Sequence, residues 1–160
     1  VGTALQRAGK MLAGHRIEMR LPADLPMLKL DAVLFEQVLF NLLDNAAKYA
    51  PRDSVIWLRA STDLGADMRG DTRAVRLEIL DEGDGIPASD VERIFGKFYR
   101  VHATDRRRAG TGLGLAICRG FVEALGGHIV AGNRPDRSGA VFTITLPVPA
   151  QPPSLHGDAA

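Results

Sequence analysis

The sequence lacks the features that mark several large classes of protein. Its 160 residues contain one cysteine, Cys118, so no disulfide can form within the chain, which fits a reducing compartment such as the cytosol. We expect that cysteine, on a predicted helix, to be a small buried residue rather than a reactive thiol. No apolar run is long enough to cross a bilayer, and no signal peptide is recognisable. The formal net charge is +1, so no overall field favours nucleic acid or a membrane surface.

The length is sufficient for one domain with its own core. We expect residues 14–147 to form that domain and residues 1–13 to be the end of an upstream linker or helix. Residues 148–160 are rich in Pro and Ala, and we expect a disordered tail there. Because the sequence begins at Val1 rather than Met, we interpret it as a piece of a longer protein.

Hydrophobic patterning predicts an α+β fold. Alternation of apolar and polar residues predicts strands at 15–21, 54–62, 73–80, 128–132 and 140–146. Helices are predicted at 31–50, 89–98 and 114–125. Consecutive strands with short turns imply hairpins, so we expect a two-layer α/β sandwich: a mixed sheet of about five strands, covered on one face by about three helices. A Rossmann sheet would need strands and helices to alternate throughout.

Residues at the helix ends support these boundaries. Asp31 is a suitable N-cap for the first helix, and Pro51 stops it because a proline ring disfavours helical geometry in the residue before it. Ser89 and Glu92 have the spacing of a capping box for the second.

A row of polar residues lies on the first predicted helix. Asn41, Asn45 and Lys48 fall on one face, away from the apolar face that would pack in the core. Asn is unfavourable in helix interiors, so two of them one turn apart need a reason. The row is either a solvated face or a set of ligands for phosphate and metal, and the helix alone does not decide.

Two glycine-rich loops suggest a ligand. Residues 110–114 carry three glycines before a helix, where backbone N–H groups and the helix dipole can hold phosphate, although glycines also serve tight packing. This loop is not a P-loop, because no Gly-Lys-Ser/Thr follows. Asp81, with Gly83 and Gly85, ends a strand. Its carboxylate could accept from an exocyclic amine such as that of adenine, or the segment could be an ordinary surface turn.

Together, these elements resemble the catalytic domain of histidine kinases, within the wider ATP-binding group of DNA gyrase, Hsp90 and MutL. Residues 41–49 resemble the family's N box, 81–85 its G1 box, 95–98 its F box and 110–116 its G2 box. The resemblance covers residues 15–147, and the sequence around the four motifs is most similar to that of the potassium-sensing Kdp-type kinases. It implies a Bergerat-type fold that binds ATP and Mg²⁺ beneath a lid at about 84–112.

The resemblance also implies roles for individual residues. Asp81 would bond the adenine amine, Thr143 would reach the same base through its hydroxyl or a water, and Tyr49 would pack near adenine or ribose. The implied ATP-binding set is Asn41, Asn45, Lys48, Tyr49, Asp81, Gly83, Gly85, Ile86, Phe98, Gly110, Thr111, Gly112, Leu113, Gly114 and Thr143.

At the phosphate end, Asn45 would ligate Mg²⁺ through its amide oxygen. Asn41 and Lys48 are the implied catalytic residues, the first supporting the metal–phosphate end and the second contacting phosphate. Phe95 and Phe98 would anchor the lid. Hydrolysing relatives carry a Glu base where this chain has Asn41, and an amide cannot take a proton from water.

The resemblance therefore implies transfer of the ATP γ-phosphoryl to a histidine of a separate dimerisation domain, for relay to a response regulator. None of the chain's own histidines has the sequence context of the acceptor: His15, His102, His128 and His156. We expect a monomeric cytoplasmic domain of an inner-membrane sensor, without a nucleic-acid partner. An ATPase or a non-catalytic nucleotide-binding regulatory domain of the same superfamily is the alternative.

Overall fold

The computed structural model of the chain describes residues 6, 9–10, 12–25, 28, 30–64, 73–96 and 114–148. Its helices and strands follow the predicted order. They are β1 (Arg16–Arg20), α1 (Ala32–Tyr49), β2 (Val55–Leu64), β3 (Arg73–Leu80), α2 (Gly114–Ala124), β4 (His128–Asn133) and β5 (Ala140–Pro147).

The five strands form one mixed sheet in the order β1-β2-β3-β5-β4. β1 runs parallel to β2, whereas the β2–β3, β3–β5 and β5–β4 pairs are antiparallel. Helices α1 and α2 pack their apolar side chains into one core with the sheet. The prediction of an α+β two-layer sandwich is confirmed.

The predicted helix at 89–98 is wrong over the part that the structure describes. Residues 88–95 form a series of turns, within which Ile94 N donates to Asp90 O at 3.0 Å. A segment this short gains little from helix formation itself, and the burial of Ile94 and Phe95 fixes its path instead. Phe95 meets Phe142 edge-on, with ring centroids 6.3 Å apart.

Helix α1 begins and ends as its sequence predicts. Asp31 Oδ1 accepts from Val33 N at 3.0 Å and Leu34 N at 3.2 Å, which satisfies two backbone donors of the first turn. Ala50, the C-cap residue before Pro51, has extended backbone angles. The buried face of α1 consists of Val38, Leu39, Leu42, Leu43 and Ala46. The opposite, polar face is therefore left for a ligand or for solvent.

The core lies between the helices and one face of the sheet. Leu58, Ile79 and Ile144, on three adjacent strands, are almost fully buried there. Side chains of the opposite parity form a smaller cluster on the other face: Val55, Trp57, Leu80 and Val141. β3 and β5 are neighbours, so the loop that leaves β3 at Asp81 lies beside the start of β5.

Cys118 is a core residue of α2. Its side chain is completely buried, and the thiol donates to Val38 O at 3.6 Å. Burial raises the pKa of the thiol to about 12, since the thiolate loses its solvation. We expect iodoacetamide at pH 8 to leave native chains unmodified and to alkylate Cys118 in urea, as measured by mass spectrometry. Alkylation of the folded chain at the rate of a free cysteine would contradict this burial.

Candidate functional site

A buried carboxylate marks the end of β3. Asp81 is 3% exposed, and its Oδ1 accepts from Gly83 N at 2.8 Å and Ala140 N at 3.1 Å. Among the described residues, none donates a hydrogen bond to Oδ2. A carboxylate has capacity for more acceptor bonds, so one oxygen fixes the side chain and the other is available to a ligand donor.

Burial raises the pKa of Asp81, because the charged form loses solvation. The backbone donors at Ala140 and Gly83, and the positive charge of Arg134, act in the opposite direction. The carboxylate therefore depends on donors supplied by the surrounding chain, and a further donor from a ligand would favour its charged form.

The end of α1 packs directly on the loop that follows Asp81. A Cβ added at Gly83 would lie 2.8 Å from Tyr49 O and 3.1 Å from Asp81 Oδ1. Such distances leave no room for any side chain, so glycine is required at this position by close approach. The structure thus brings Tyr49, Gly83 and Asp81 together, as the sequence predicts for one wall of a nucleotide site.

Asn133 fixes the next part of this loop. Its Oδ1 accepts from Ile86 N at 2.6 Å, and its Nδ2 donates to Ile86 O at 2.7 Å. This pair satisfies both backbone groups of Ile86, which is itself buried. Sequence reasoning missed Asn133, because an Asn at a strand end is also an ordinary turn residue.

Gly85 is required by both conformation and space. Its φ is +82°, and an added Cβ would lie 2.5 Å from Asn133 Oδ1. We expect Gly85→Ala to lower the free energy of unfolding by about 1–3 kcal/mol, measured by urea denaturation. Gly120→Ala is the control, because a Cβ there meets nothing within 4 Å; in an exposed helix position it should stabilise by about 0.5–1 kcal/mol. Equal stability of the Gly85→Ala variant and the wild type would contradict the steric assignment.

Asn41 connects the two helices. Its Oδ1 accepts from Gln37 Nε2 at 2.9 Å, and its Nδ2 reaches Gly114 O at 3.4 Å. The contact places the polar face of α1 beside the start of α2, where the glycine-rich segment ends. The N-terminal end of α2, with its partial positive charge, therefore faces the same side as the Asn row.

The other two polar residues of the row differ in their surroundings. Asn45 is half-buried, and within the described part of the chain its amide makes no hydrogen bond. Lys48 Nζ lies 2.8 Å from Asp44 Oδ2, with each side chain about 30% exposed. A partly exposed ion pair one helical turn apart contributes little to stability, so the ammonium can exchange Asp44 for a ligand phosphate at little cost.

Of the remaining predicted site residues, the structure describes Thr143 and Gly114. Thr143 lies on β5 between Glu78 and Val130, on the sheet face away from the helices, whereas Ala140 supplies the contact to Asp81. Gly114 opens α2. Phe98, Gly110, Thr111, Gly112 and Leu113 lie outside the described residues, as does most of the predicted lid.

The donors present fit Mg²⁺ in one specific way. The described residues contain no group of three His, Cys, Asp or Glu side chains that could hold a metal. Mg²⁺ commonly keeps several waters and binds through one or two protein oxygens together with substrate phosphates. The Asn45 amide oxygen, which has no hydrogen-bond partner in the described structure and lies on the polar face of α1, suits that mode.

No helix in the described ranges is long and apolar enough to cross a membrane.

A family model described as "Histidine kinase-, DNA gyrase B-, and HSP90-like ATPase" matches residues 30–150. The sensor protein KdpD of Clostridium acetobutylicum is 40% identical over 149 residues, which is 92% of this chain. Those residues are 15% of that relative, so the chain spans a small part of its length.

Solved structures with the same fold include the mycobacterial sensor histidine kinase MprB. It is 28% identical, with a TM-score of 0.78 and coverage of 91% of each chain. Full-length ShkA in complex with AMPPNP is also 28% identical, with a TM-score of 0.69 over 90% of this chain and 29% of that one.

Proposed function

This chain belongs to the histidine kinase-, DNA gyrase B- and HSP90-like ATPase family, and on that premise we propose that it is the ATP-binding catalytic domain of a two-component sensor histidine kinase. The observation that carries the proposal is the buried Asp81 carboxylate, held through Oδ1 by two backbone N–H groups. Its Oδ2 has no donor among the described residues, and we assign to it the bond with the adenine amine.

The nucleotide would extend from the Asp81 loop toward the helices. Adenine lies against the loop of Gly83, Gly85 and Ile86, next to Tyr49. The phosphates lie along the polar face of α1, where Lys48 offers a positive charge that is only weakly held by Asp44. The start of α2 adds its dipole to the same end, as a helix N-terminus does for bound anions.

Asn45 would hold Mg²⁺ through its amide oxygen, together with phosphate oxygens of the nucleotide. When bound, the ion supplies neutralisation of the charge that develops on the phosphate oxygens. Asn41 forms hydrogen bonds with Gln37 and Gly114. It therefore fixes the polar row of α1 relative to the start of α2 and does not remove a proton. Lys48 screens the transferred group.

Transfer forms a phosphorus–nitrogen bond to the acceptor imidazole and breaks the bond between the γ-phosphorus and the β–γ bridging oxygen, releasing ADP. The pocket holds donors and a cation but no carboxylate at the Asn41 position to activate water. Catalysis then rests on alignment and charge stabilisation. The acceptor histidine is supplied by the dimerisation domain of the parent protein, and a response-regulator aspartate receives the phosphoryl group afterwards.

The parent is proposed to be a Kdp-type sensor of potassium or osmotic conditions, with this domain on the cytoplasmic side of the inner membrane. The 40% identity to the C. acetobutylicum sensor protein KdpD supports this subtype. The isolated domain is expected to be a monomer.

A transfer assay tests the proposal. The chain is mixed with Mg-ATP and a separately produced dimerisation fragment of its parent, and phosphate that is labile in acid and stable in base is measured on that fragment. Transfer should require the acceptor histidine, so its replacement by Gln is the control. Measured ATP binding without transfer would overturn the kinase assignment, and steady phosphate release without the fragment would favour an ATPase.

A further inference from the structure

The turn between β4 and β5 encloses the Asp81 loop from behind. Ser138 Oγ donates to Gly83 O at 2.7 Å, and Ala140 N donates to Asp81 Oδ1 at 3.1 Å. A Cβ added at Gly139 would lie 2.0 Å from Asp81 O and 2.9 Å from Arg134 Cδ. Turn and loop therefore pack without spare space, and Arg134 is part of that contact.

Arg134 is a buried cation at the centre of this turn. Its side chain is 1% exposed, and its Nη1 donates to Asp81 O at 3.2 Å. Its Nε and Nη2 donate to the two carboxylate oxygens of Asp136 at 3.1 and 2.9 Å. The guanidinium carbon lies 4.3 Å from the centroid of the Trp57 ring. Each of the three guanidinium nitrogens thus has an acceptor, and one face of the group lies against an aromatic ring.

A buried arginine is costly unless it is paired on all sides. A turn of this length can be closed without one, as Arg134 N to Gly139 O at 2.9 Å already does here. The guanidinium instead holds Asp81 by its carbonyl, while Gly83 N and Ala140 N hold the same residue by Oδ1. Asp81 is therefore fixed at both its main chain and its side chain, so the orientation of the carboxylate, and with it the position of Oδ2, is fixed.

The Trp57 ring extends this arrangement across the sheet. It belongs to the smaller cluster on the face opposite the helices, and its Nε1 donates to Glu18 Oε2 at 2.9 Å. This hydrogen bond fixes the ring beside Arg134, where its π face attracts the guanidinium. Residues of β1 and β2 thus support Arg134, which in turn contacts Asp81.

We propose that Arg134, clamped between Trp57 and Asp136, is a positioning residue that sets the selectivity of the Asp81 site for a 6-aminopurine. The proposal rests on the proposed function, since it concerns the base of the bound nucleotide. A rigid carboxylate accepts from the amine of adenine and repels the carbonyl oxygen of hypoxanthine at the same place. Without Arg134 the Asp81 main chain is held less firmly, so the carboxylate is no longer aligned with the amine of adenine and the affinity for ATP falls. The affinity for ITP, which makes no such bond, changes little, so the discrimination between the two bases is reduced.

Affinities of the 160-residue chain for ATP and ITP, both with Mg²⁺, test this by calorimetry. Arg134→Gln should reduce the ratio of ATP to ITP affinity about tenfold, with ITP affinity changed less than about twofold. Arg134→Lys keeps the charge but cannot form the bidentate pair with Asp136, and it should restore part of the ratio.

Arg137→Gln is the matched control. Arg137 also lies over the Trp57 ring, at 5.2 Å, and its Nε is 3.4 Å from Asp136 Oδ2, but among the described contacts it makes none with Asp81. Its removal should leave the ATP-to-ITP ratio within about twofold of the wild type, because only the arginine that reaches the Asp81 carbonyl acts on the base.

Equal losses for ATP and ITP in Arg134→Gln would overturn the proposal, because a purely structural role weakens both. An unchanged ratio in that variant would overturn it as well. If Arg134→Gln does not fold, Trp57→Leu decides: a lowered ratio supports the clamp and an unchanged ratio overturns it. A wild-type chain that binds neither nucleotide would overturn the proposed function itself, which separates the two failures.

Discussion

Replacing Asp81 with Asn is expected to lower the affinity for ATP about 100-fold while the chain remains folded. Asn keeps an amide oxygen in the place of Oδ1, so it can still accept from Gly83 N and Ala140 N. The group at the Oδ2 position becomes an NH₂ donor. It then faces the adenine amine, also a donor, so an attractive bond is replaced by a repulsive contact.

The same substitution should not reduce stability at neutral pH. Because burial raises the pKa of Asp81 in the folded chain, the folded state binds more protons than the unfolded state between the two pKa values. Stability therefore falls as pH rises through that window, and above it the ionised Asp81 carries a cost. Asp81→Asn removes the ionisation, and its free energy of unfolding at pH 7 is expected to equal or exceed that of the wild type.

Asp84→Asn is the control for both measurements. Asp84 belongs to the same loop but is exposed, so the loss of its charge should alter neither ATP affinity nor the urea midpoint appreciably. Retention of wild-type ATP affinity by the Asp81→Asn variant would show that the carboxylate does not receive the base. A large loss of stability in the Asp81→Asn variant would show that the pKa of Asp81 is lowered in the folded chain and not raised.

Much of the fold follows from local patterns. The strand alternation, the Asp31 cap and the stop before Pro51 depend on neighbours within a few residues, and the structure has all of them. Four motifs in order indicated the family, and the match over residues 30–150 confirms it. The turns at 88–95 were missed, because long-range burial decides the path of a segment too short to form a helix by itself.

The support behind the site could not be predicted in the same way. Asn133 contacts Ile86 47 positions away, and Arg134 contacts Asp81 53 positions away. Both lie at the start of a segment, residues 133–139, that is rich in Pro, Asp, Ser and Gly, so the local pattern explains them fully as parts of a surface turn. Only the pairing of β3 with β5 brings them to the nucleotide loop.

Thr143 illustrates a different limit, that of strand parity. Successive side chains of a strand point to opposite faces, so an error of one position transfers a residue to the other side of the sheet. Ala140 and Phe142 are buried on the sheet face that packs on the helices, whereas Val141 and Thr143 lie on the opposite face. The residue of β5 that contacts Asp81 is Ala140, three positions before the predicted hydroxyl.

The second large effect is expected from Asn45→Ala, which should slow phosphoryl transfer about 100-fold. The amide oxygen is the single hard protein ligand that we assign to Mg²⁺, so its removal leaves the ion held by phosphates and water alone. Binding of ATP in the presence of EDTA should be unchanged, and the gain in affinity on adding Mg²⁺ should largely disappear. Titrations with and without Mg²⁺, together with the transfer assay, measure both effects.

Asn45→Asp separates a ligand role from a structural one. A carboxylate retains the hard oxygen, so this variant should recover Mg²⁺-dependent binding, whereas Ala should not. The amide makes no hydrogen bond within the described residues, so neither variant should lower the urea midpoint appreciably. If the ATP affinity of the Asn45→Ala variant depends on Mg²⁺ as strongly as that of the wild type, the metal ligand is another residue. The Asn45 amide would then be part of a solvated helix face, and the three polar residues of α1 would not act as one row.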